Sequence, residues 1–269
     1  MQYDPIKKTL GRFFSGPVFM RKTLYFLLDL LLLRTWHVKK ALKKIAVSFP
    51  GEASVLDAGA GFGQYTWRMS RMNRNWKIMA ADIDKEKVDD CVRFFNAAGL
   101  ADRVTCNESD LTELTATGKY DIILSVDVME HIREDELVFG NFNRALRPGG
   151  VLLISTPSDQ GGSDVHSEDE HSFIDEHVRN GYSIDDISQK LKRAGFSSVT
   201  ASYTYGKPGN ISWRLSMKYP VRMLNLSKIF YLILPLYYII CFPVALVLNT
   251  FDVSLTHRSG TGLLVLAGK

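Results

Sequence analysis

Cysteine is scarce in this 269-residue chain: Cys91, Cys106 and Cys241 are odd in number and show neither CxxC nor Cys/His metal spacing. That argues against a disulfide scaffold or a zinc site, and a reducing, cytoplasmic compartment is expected. Acidic residues are scarce at both ends. Residues 1–50 carry 10 Lys and Arg against 2 Asp and Glu, and residues 207–269 carry 7 against 1, whereas residues 51–206 carry 16 against 26. An acidic middle is a poor nucleic-acid surface, while basic flanks rich in Leu, Phe, Tyr and Trp suit an anionic membrane face. A signal-peptide pattern is also missing. The apolar run Leu24 to Leu33 contains Asp29 and is followed by Arg34, Trp36 and His37 without a small-residue cleavage site, so it is expected to be retained. There is no internal repeat, and with 46% hydrophobic and 23% charged residues the chain can bury one large core.

From Ser54 to Gly206, short β-rich runs alternate with amphipathic stretches, the pattern of βα units around a mostly parallel sheet. The expected strands are Ser54 to Ala58, Lys77 to Ile83, Arg103 to Ser109, Tyr120 to Val128, Gly150 to Pro157 and Ser197 to Tyr205, with a last one over Gly262 to Ala267. Val88, Val92 and Phe95 mark a helical face that ends at Gly99. A second helix spans Arg133 to Leu146 and stops at Arg147-Pro148-Gly149-Gly150. Ser183 with Asp186 resembles a capping box. Between Ser158 and Gly181 lies a long loop with His166, His171 and His177, a candidate lid over the strand ends.

The sharpest signal is Val55-Leu56-Asp57-Ala58-Gly59-Ala60-Gly61-Phe62-Gly63-Gln64, an apolar strand running into a glycine-rich turn and then a helix. Glycine admits positive φ and lets a ligand approach where a Cβ would collide, so this is a small-ligand cradle. The dinucleotide fingerprint G-x-G-x-x-G would need a third glycine where Gln64 stands, which disfavours a nicotinamide or flavin cofactor. About 20 residues on, Ala81-Asp82-Ile83-Asp84 places an acid at the ribose-binding distance. Taken singly, Asp82 or Asp110 could be a helix cap and the glycines an ordinary tight turn. Taken together on successive strand ends, they favour ligand binding.

These residues resemble the first motif and following strand ends of class I S-adenosylmethionine-dependent methyltransferases over about Ala53 to Phe196 plus the last strand. The resemblance implies an α/β fold, a Rossmann-like seven-stranded sheet with an N-terminal helical cap and an apolar helical insertion before the last strand. It implies that S-adenosylmethionine is held by Asp57, Gly59, Ala60, Gly61 and Gly63, with Asp82 on the ribose hydroxyls and Ile83 against adenine. Ser109 and Asp110 match the pair near the adenine amino group, and Val126 and Asp127 the lining of the methionine portion. The segment Asp127-Val128-Met129-Glu130-His131 resembles an acid-x-x-Glu-His pattern of ubiquinone-pathway and small-RNA methyltransferases that binds a divalent ion there. Mg or Mn would suit Asp127, Glu130 and His131, although a Glu-His pair also occurs in metal-free relatives, where it orients the loop. His177 is the first candidate base, with His131 and Glu130 beside it, and Arg179 and Tyr182 are candidate substrate contacts.

Ile229 to Leu248 is a 20-residue run without formal charge, long enough to cross a bilayer core of ~30 Å as a helix, yet it contains Pro235 and Pro243. If the last strand returns to the sheet, a single crossing fails, and a helical hairpin broken near either proline and lying in one leaflet is expected. The chain thus divides into a basic, apolar cap (1–50), a cofactor-binding core (51–206), an apolar membrane-associating insertion (207–261) and the last core strand (262–269). The function expected is methyl transfer to a lipophilic small molecule (quinone precursor, polyene, phenolic or lipid) at an anionic membrane surface. A non-catalytic membrane adaptor and a nicotinamide-dependent oxidoreductase are the alternatives.

Overall fold

The computed structural model describes residues 17–161, 178–227 and 229–269. Seven strands, β1 (Ala53–Ala58), β2 (Trp76–Asp82), β3 (Val104–Glu108), β4 (Tyr120–Val126), β5 (Leu146–Pro157), β6 (Ser198–Thr204) and β7 (Gly262–Gly268), form one sheet in the order β3-β2-β1-β4-β5-β7-β6. β7 is antiparallel to both neighbours and every other pair is parallel. The strands expected from the sequence all form. β5 begins at Leu146 rather than Gly150 because Leu146 pairs with Tyr120 before a register shift restarts the ladder at Val151 and Ile122, so the expected Pro-Gly-Gly turn is a bulge within the strand.

The helices of the core are α1 (Val18–Leu31), α2 (Leu33–Ser48), α3 (Gln64–Met72), α4 (Lys85–Ala97), α5 (Asp135–Ala145) and α6 (Ile184–Arg193). Their starts follow local chemistry. Asp84 accepts from the Glu86 and Lys87 amides at 3.0 and 3.3 Å to open α4, and Ser183 accepts from Asp186 N at 3.0 Å to open α6. Helices α2, α3 and α4 bury Val38, Leu42, Met69, Phe94 and Phe95 on one face of the sheet, and α5 and α6 bury Val138, Phe139, Phe142, Ile187 and Leu191 on the other. Each such side chain stabilises the fold by about 1.5–3 kcal/mol relative to exposure. On α4 the buried stripe runs through Val88, Cys91 and Phe95, while Val92, expected on that face, lies at its exposed edge.

Between β6 and β7 the chain leaves the sheet as two helical arms. The first comprises α7 (Lys207–Trp213), a π-helical turn (Arg214–Lys218) and α8 (Tyr219–Leu226), and the second is the single helix α9 (Phe230–Ser254). The expected break within the apolar run does not occur: α9 continues as one helix through both Pro235 and Pro243, and it forms a hairpin with the preceding arm instead, the chain reversing between α8 and α9. Cross-arm hydrogen bonds on either side of Pro243 tie this helix to the first arm. Tyr237 and Tyr238 hydroxyls donate to the Leu215 and Ser216 carbonyls, each at 2.8 Å, and Ser212 donates to Ala245 O at 3.1 Å and Asn249 Oδ1 at 2.6 Å.

Candidate functional site

The strand order reverses between β1 and β4, and the crevice this opens at their carboxyl ends is where ligands bind in open α/β sheets. The turn leaving β1 fills its floor. Gly59, Gly61 and Gly63 all have positive φ, of 76°, 53° and 77°. A Cβ on Gly59 would lie 2.2 Å from Val128 Cγ2, and one on Gly63 would press on Phe95 and Cys91 of α4 at 3.0 and 3.1 Å. A Cβ on Gly61 would meet no protein atom within 4 Å. Two of the glycines thus permit packing, whereas Gly61 keeps backbone open to the crevice.

Asp82, at the end of β2, faces this turn: its carboxylate accepts from Gly61 N at 2.7 Å and Asp84 N at 3.0 Å. Two backbone amides fix its plane, and a carboxylate with about four lone-pair sites retains capacity for hydroxyl donors. Ile83 beside it is 68% exposed, an apolar surface presented to solvent next to the acid. Ser109 joins the same edge through its amide to Asp82 O at 2.9 Å. Asp110 uses Oδ1 to accept from Thr112 N and Oγ1 at 2.8 and 2.7 Å, and so caps the short 3-10 turn Leu111–Glu113.

Asp57 takes a different direction from the one expected. It is buried under the turn and accepts from Thr66 Oγ1 of α3 at 2.5 Å, and burial pushes its carboxyl up to about 7. It therefore ties β1 to α3 rather than facing the crevice. Across the crevice, Val126 closes β4, and Asp127 bends the chain with φ 51°, unusual for a residue other than glycine. Its carboxylate pairs with Arg34 of α2.

Of the Glu-His pair on the 3-10 turn Met129–His131, Glu130 is buried and His131 exposed. Burial pushes the Glu130 carboxyl up against the opposing effects of His131, Arg34 and a 3.0 Å hydrogen bond from Thr156 Oγ1. Asp127 is engaged by Arg34 and Glu130 by Thr156, so the two carboxylates of the acid-x-x-Glu-His pattern have separate partners; among the described residues no metal-binding cluster is present. His166, His171 and His177 lie outside the described residues.

Arg179 and Tyr182, expected at a substrate, are employed in packing. The Tyr182 hydroxyl donates to Asp135 Oδ2 at 2.8 Å and Met129 O at 3.1 Å, with the ring buried, and Arg179 pairs with Asp135 and donates to Ile132 O at 2.6 Å. Burial alone would raise the Asp135 carboxyl, but hydrogen bonds from Lys190 and Tyr182 and the Arg179 charge outweigh it and hold the group below its usual range. This cluster locks residues 179–182 onto the start of α5.

Sequence reading missed the contribution of the N-terminal helices. Arg21 of α1 is buried and donates to Phe62 O of the glycine turn at 2.6 Å and to Asp90 Oδ2 at 2.8 Å. Asp29 accepts from Gln64 Nε2 at 2.9 Å and pairs with Arg68. Arg34 N donates to the Tyr205 hydroxyl at 2.8 Å. The available signal was Arg21, Asp29 and Arg34 set in a largely apolar stretch, since a charge needs a partner once buried.

Comparison with known proteins agrees with this geometry. A family profile described as "Methyltransferase domain" matches residues 51–195. Phosphoethanolamine N-methyltransferase of Triticum aestivum is 29% identical over 153 residues, 56% of this chain and 29% of that protein. Ubiquinone biosynthesis O-methyltransferase of Rhizobium etli is 28% identical over 103 residues, 38% of this chain and 40% of that protein. The chain thus spans less than half the length of these curated relatives. Among solved structures, Haemonchus contortus phosphoethanolamine N-methyltransferase 2 in complex with S-adenosyl-L-methionine shares the fold at TM-score 0.58 and 18% identity, over 81% of this chain and 49% of that one.

Proposed function

This chain belongs to the class I S-adenosylmethionine-dependent methyltransferases, and from that premise we propose that it methylates a lipophilic small molecule, such as a quinone precursor, polyene, phenolic or lipid, at an anionic membrane surface. The observation that carries the lipophilic reading is α9, which leads back into β7 and exposes Leu232, Leu236, Ile239 and Ile240 at helical spacing. It is long and apolar enough to cross a membrane by length and composition. In the hairpin it suits lying in one leaflet, since β6 and β7 at the two ends of the insertion pair within one sheet.

The cofactor's fit rests on the open backbone at Gly61, the amide-fixed Asp82 and the exposed Ile83. In this reading Asp82 accepts from the ribose hydroxyls, Ile83 packs on the adenine, Ser109 and Asp110 border the adenine edge, and Gly59, Ala60, Gly61, Val126 and Asp127 line the remainder. When bound, S-adenosylmethionine supplies a methyl group already activated on a sulfonium, so the residues of this chain need only align the acceptor, exclude water and accept a proton. For a hydroxyl acceptor His177 or His131 serves as the base. Buried Glu130 holds the Met129–His131 turn through Thr156 rather than meeting the acceptor itself.

The test is to incubate purified protein with methyl-labelled S-adenosylmethionine and separate total-lipid and aqueous extracts of the source cells. Label is expected in the lipid fraction and lost in Asp82→Ala. Label confined to the aqueous fraction would remove the lipophilic acceptor, and no label in either would favour the adaptor.

A further inference from the structure

A cavity of about 140 Å³ lies between the α1–α2 junction and the hairpin, apart from the residues assigned to the cofactor. Leu31, Leu32, Leu33, Trp213 and Met217 make most of its wall apolar, and Arg34 and Tyr205 form its polar end. A dry cavity of about 150 Å³ holds benzene, so this one takes an apolar group of ring or branched five-carbon size.

Three independent features mark it as a site rather than a packing gap. Arg34 Nε is buried and has no hydrogen-bond partner among the described residues, so that although Asp127 and Tyr65 engage the same guanidinium, one of its donors stays open at the polar end of an apolar space. Tyr205, a bulky residue, is held at φ 56° by its own amide donating to Asp252 Oδ2 at 3.1 Å and by its hydroxyl accepting from Arg34 N at 2.8 Å. Such strain concentrates at ligand clamps. The third is the π-helical turn: it widens the first arm where Ser216 and Met217 line the cavity, and insertions of this kind recur at functional sites. Because the Arg34 guanidinium also pairs with Asp127 at the end of β4, this residue joins the cavity to the crevice.

We propose that this cavity is the acceptor subsite: it takes the apolar end of an amphiphile whose oxygen-bearing group accepts from Arg34 Nε and the Tyr205 hydroxyl. The assignment rests on the methyltransferase reading above and narrows its substrate to molecules with a compact apolar end next to an oxygen.

4-Bromophenol is a suitable probe, with one ring, one oxygen and a heavy atom that quenches a tryptophan in contact. Saturable quenching is expected in the parent, absent from Trp213→Phe, and weakened about tenfold or more in Arg34→Met, where a charge-assisted donor is lost. Ser216→Phe, which fills the space, should abolish binding while S-adenosylmethionine affinity by calorimetry reports an intact fold. The probe should also raise the apparent KM for methylation of the lipid extract without lowering kcat. Quenching that survives Trp213→Phe, or binding without competition, would overturn the subsite even if lipid methylation proceeds. Failure of the parent to bind S-adenosylmethionine would instead overturn the methyltransferase reading, and the acceptor assignment with it, whatever the probe does.

Discussion

At the residue scale, the three glycines of the turn separate two demands that one motif imposes. All three have positive φ, which costs an alanine roughly 1–2 kcal/mol. At Gly63 the added Cβ also compresses Phe95 and Cys91, and overpacking adds about 1–3 kcal/mol. At Gly61 no protein atom stands in the way. Gly63→Ala is therefore expected to lose clearly more thermal stability than Gly61→Ala, while Gly61→Ala loses more cofactor affinity than its stability loss accounts for. Paired melting and calorimetry check this, and equal losses of both kinds in the two variants would show that the turn acts only as packing. The glycine register was legible in the sequence because φ and steric need are local. The inward turn of Asp57 was not, since a strand places successive side chains on opposite faces and the sequence does not say which face its last acid takes. The contacts of Arg34 were not legible either, because its partners, Asp127 and Tyr205, are brought to it only by the fold.

At the scale of elements, Asp252 near the end of α9 fastens the hairpin to everything around it. Fully buried, it accepts from Gly209 N of α7 at 3.0 Å and Tyr205 N at 3.1 Å, bonds His37 Nε2 of α2 at 2.8 Å, and lies 3.1 Å from His257 Nε2. Burial would raise its carboxyl, but the His37 hydrogen bond, the His257 and His37 charges and the Gly209 amide outweigh it and hold it below the ordinary range. A folded-state value below the unfolded one means that this group stabilises the fold above the ordinary carboxylate value, and that the contribution is lost as pH falls through the depressed value. Asp252→Asn is expected to lower urea stability by about 1–3 kcal/mol near neutrality, with the gap closing in strong acid. A gap that stays the same across that range would mean that Asp252 contributes shape and not charge. The sequence marked this helix by its apolar length, but the prolines suggested a break inside the run where the structure has one continuous helix. A proline removes one backbone donor locally, whereas the bonds from Tyr237, Tyr238 and Ser212 to the opposite arm are long-range contacts that no local pattern records.

For the whole molecule, the proposed membrane-surface reading makes the partition of charge and apolar surface testable. The exposed apolar stripe of α9 from Leu232 through Leu236, Ile239, Ile240, Val244 and Val247 to Phe251 extends about 29 Å at 1.5 Å per residue, and such an apolar strip marks an interaction surface. The opposing arm carries Arg214, Lys218 and Arg222 at four-residue spacing, and Asp252, the single acid after Gly206, is buried beneath the hairpin. Apolar insertion and attraction to anionic headgroups should therefore act together. Co-sedimentation with phosphatidylserine-containing vesicles is expected to exceed that with neutral vesicles, and rising salt should narrow the difference as the screening length shortens without removing the apolar part. Ile239→Glu with Ile240→Glu, at positions 70% and 68% exposed, should leave thermal stability nearly unchanged while releasing the protein from both kinds of vesicle. If that double variant methylates a dispersed acceptor normally but loses activity on vesicle-borne acceptor, the hairpin brings the crevice to its substrate. If the parent stays in the supernatant with every lipid composition, the stripe covers another protein surface and the membrane orientation fails.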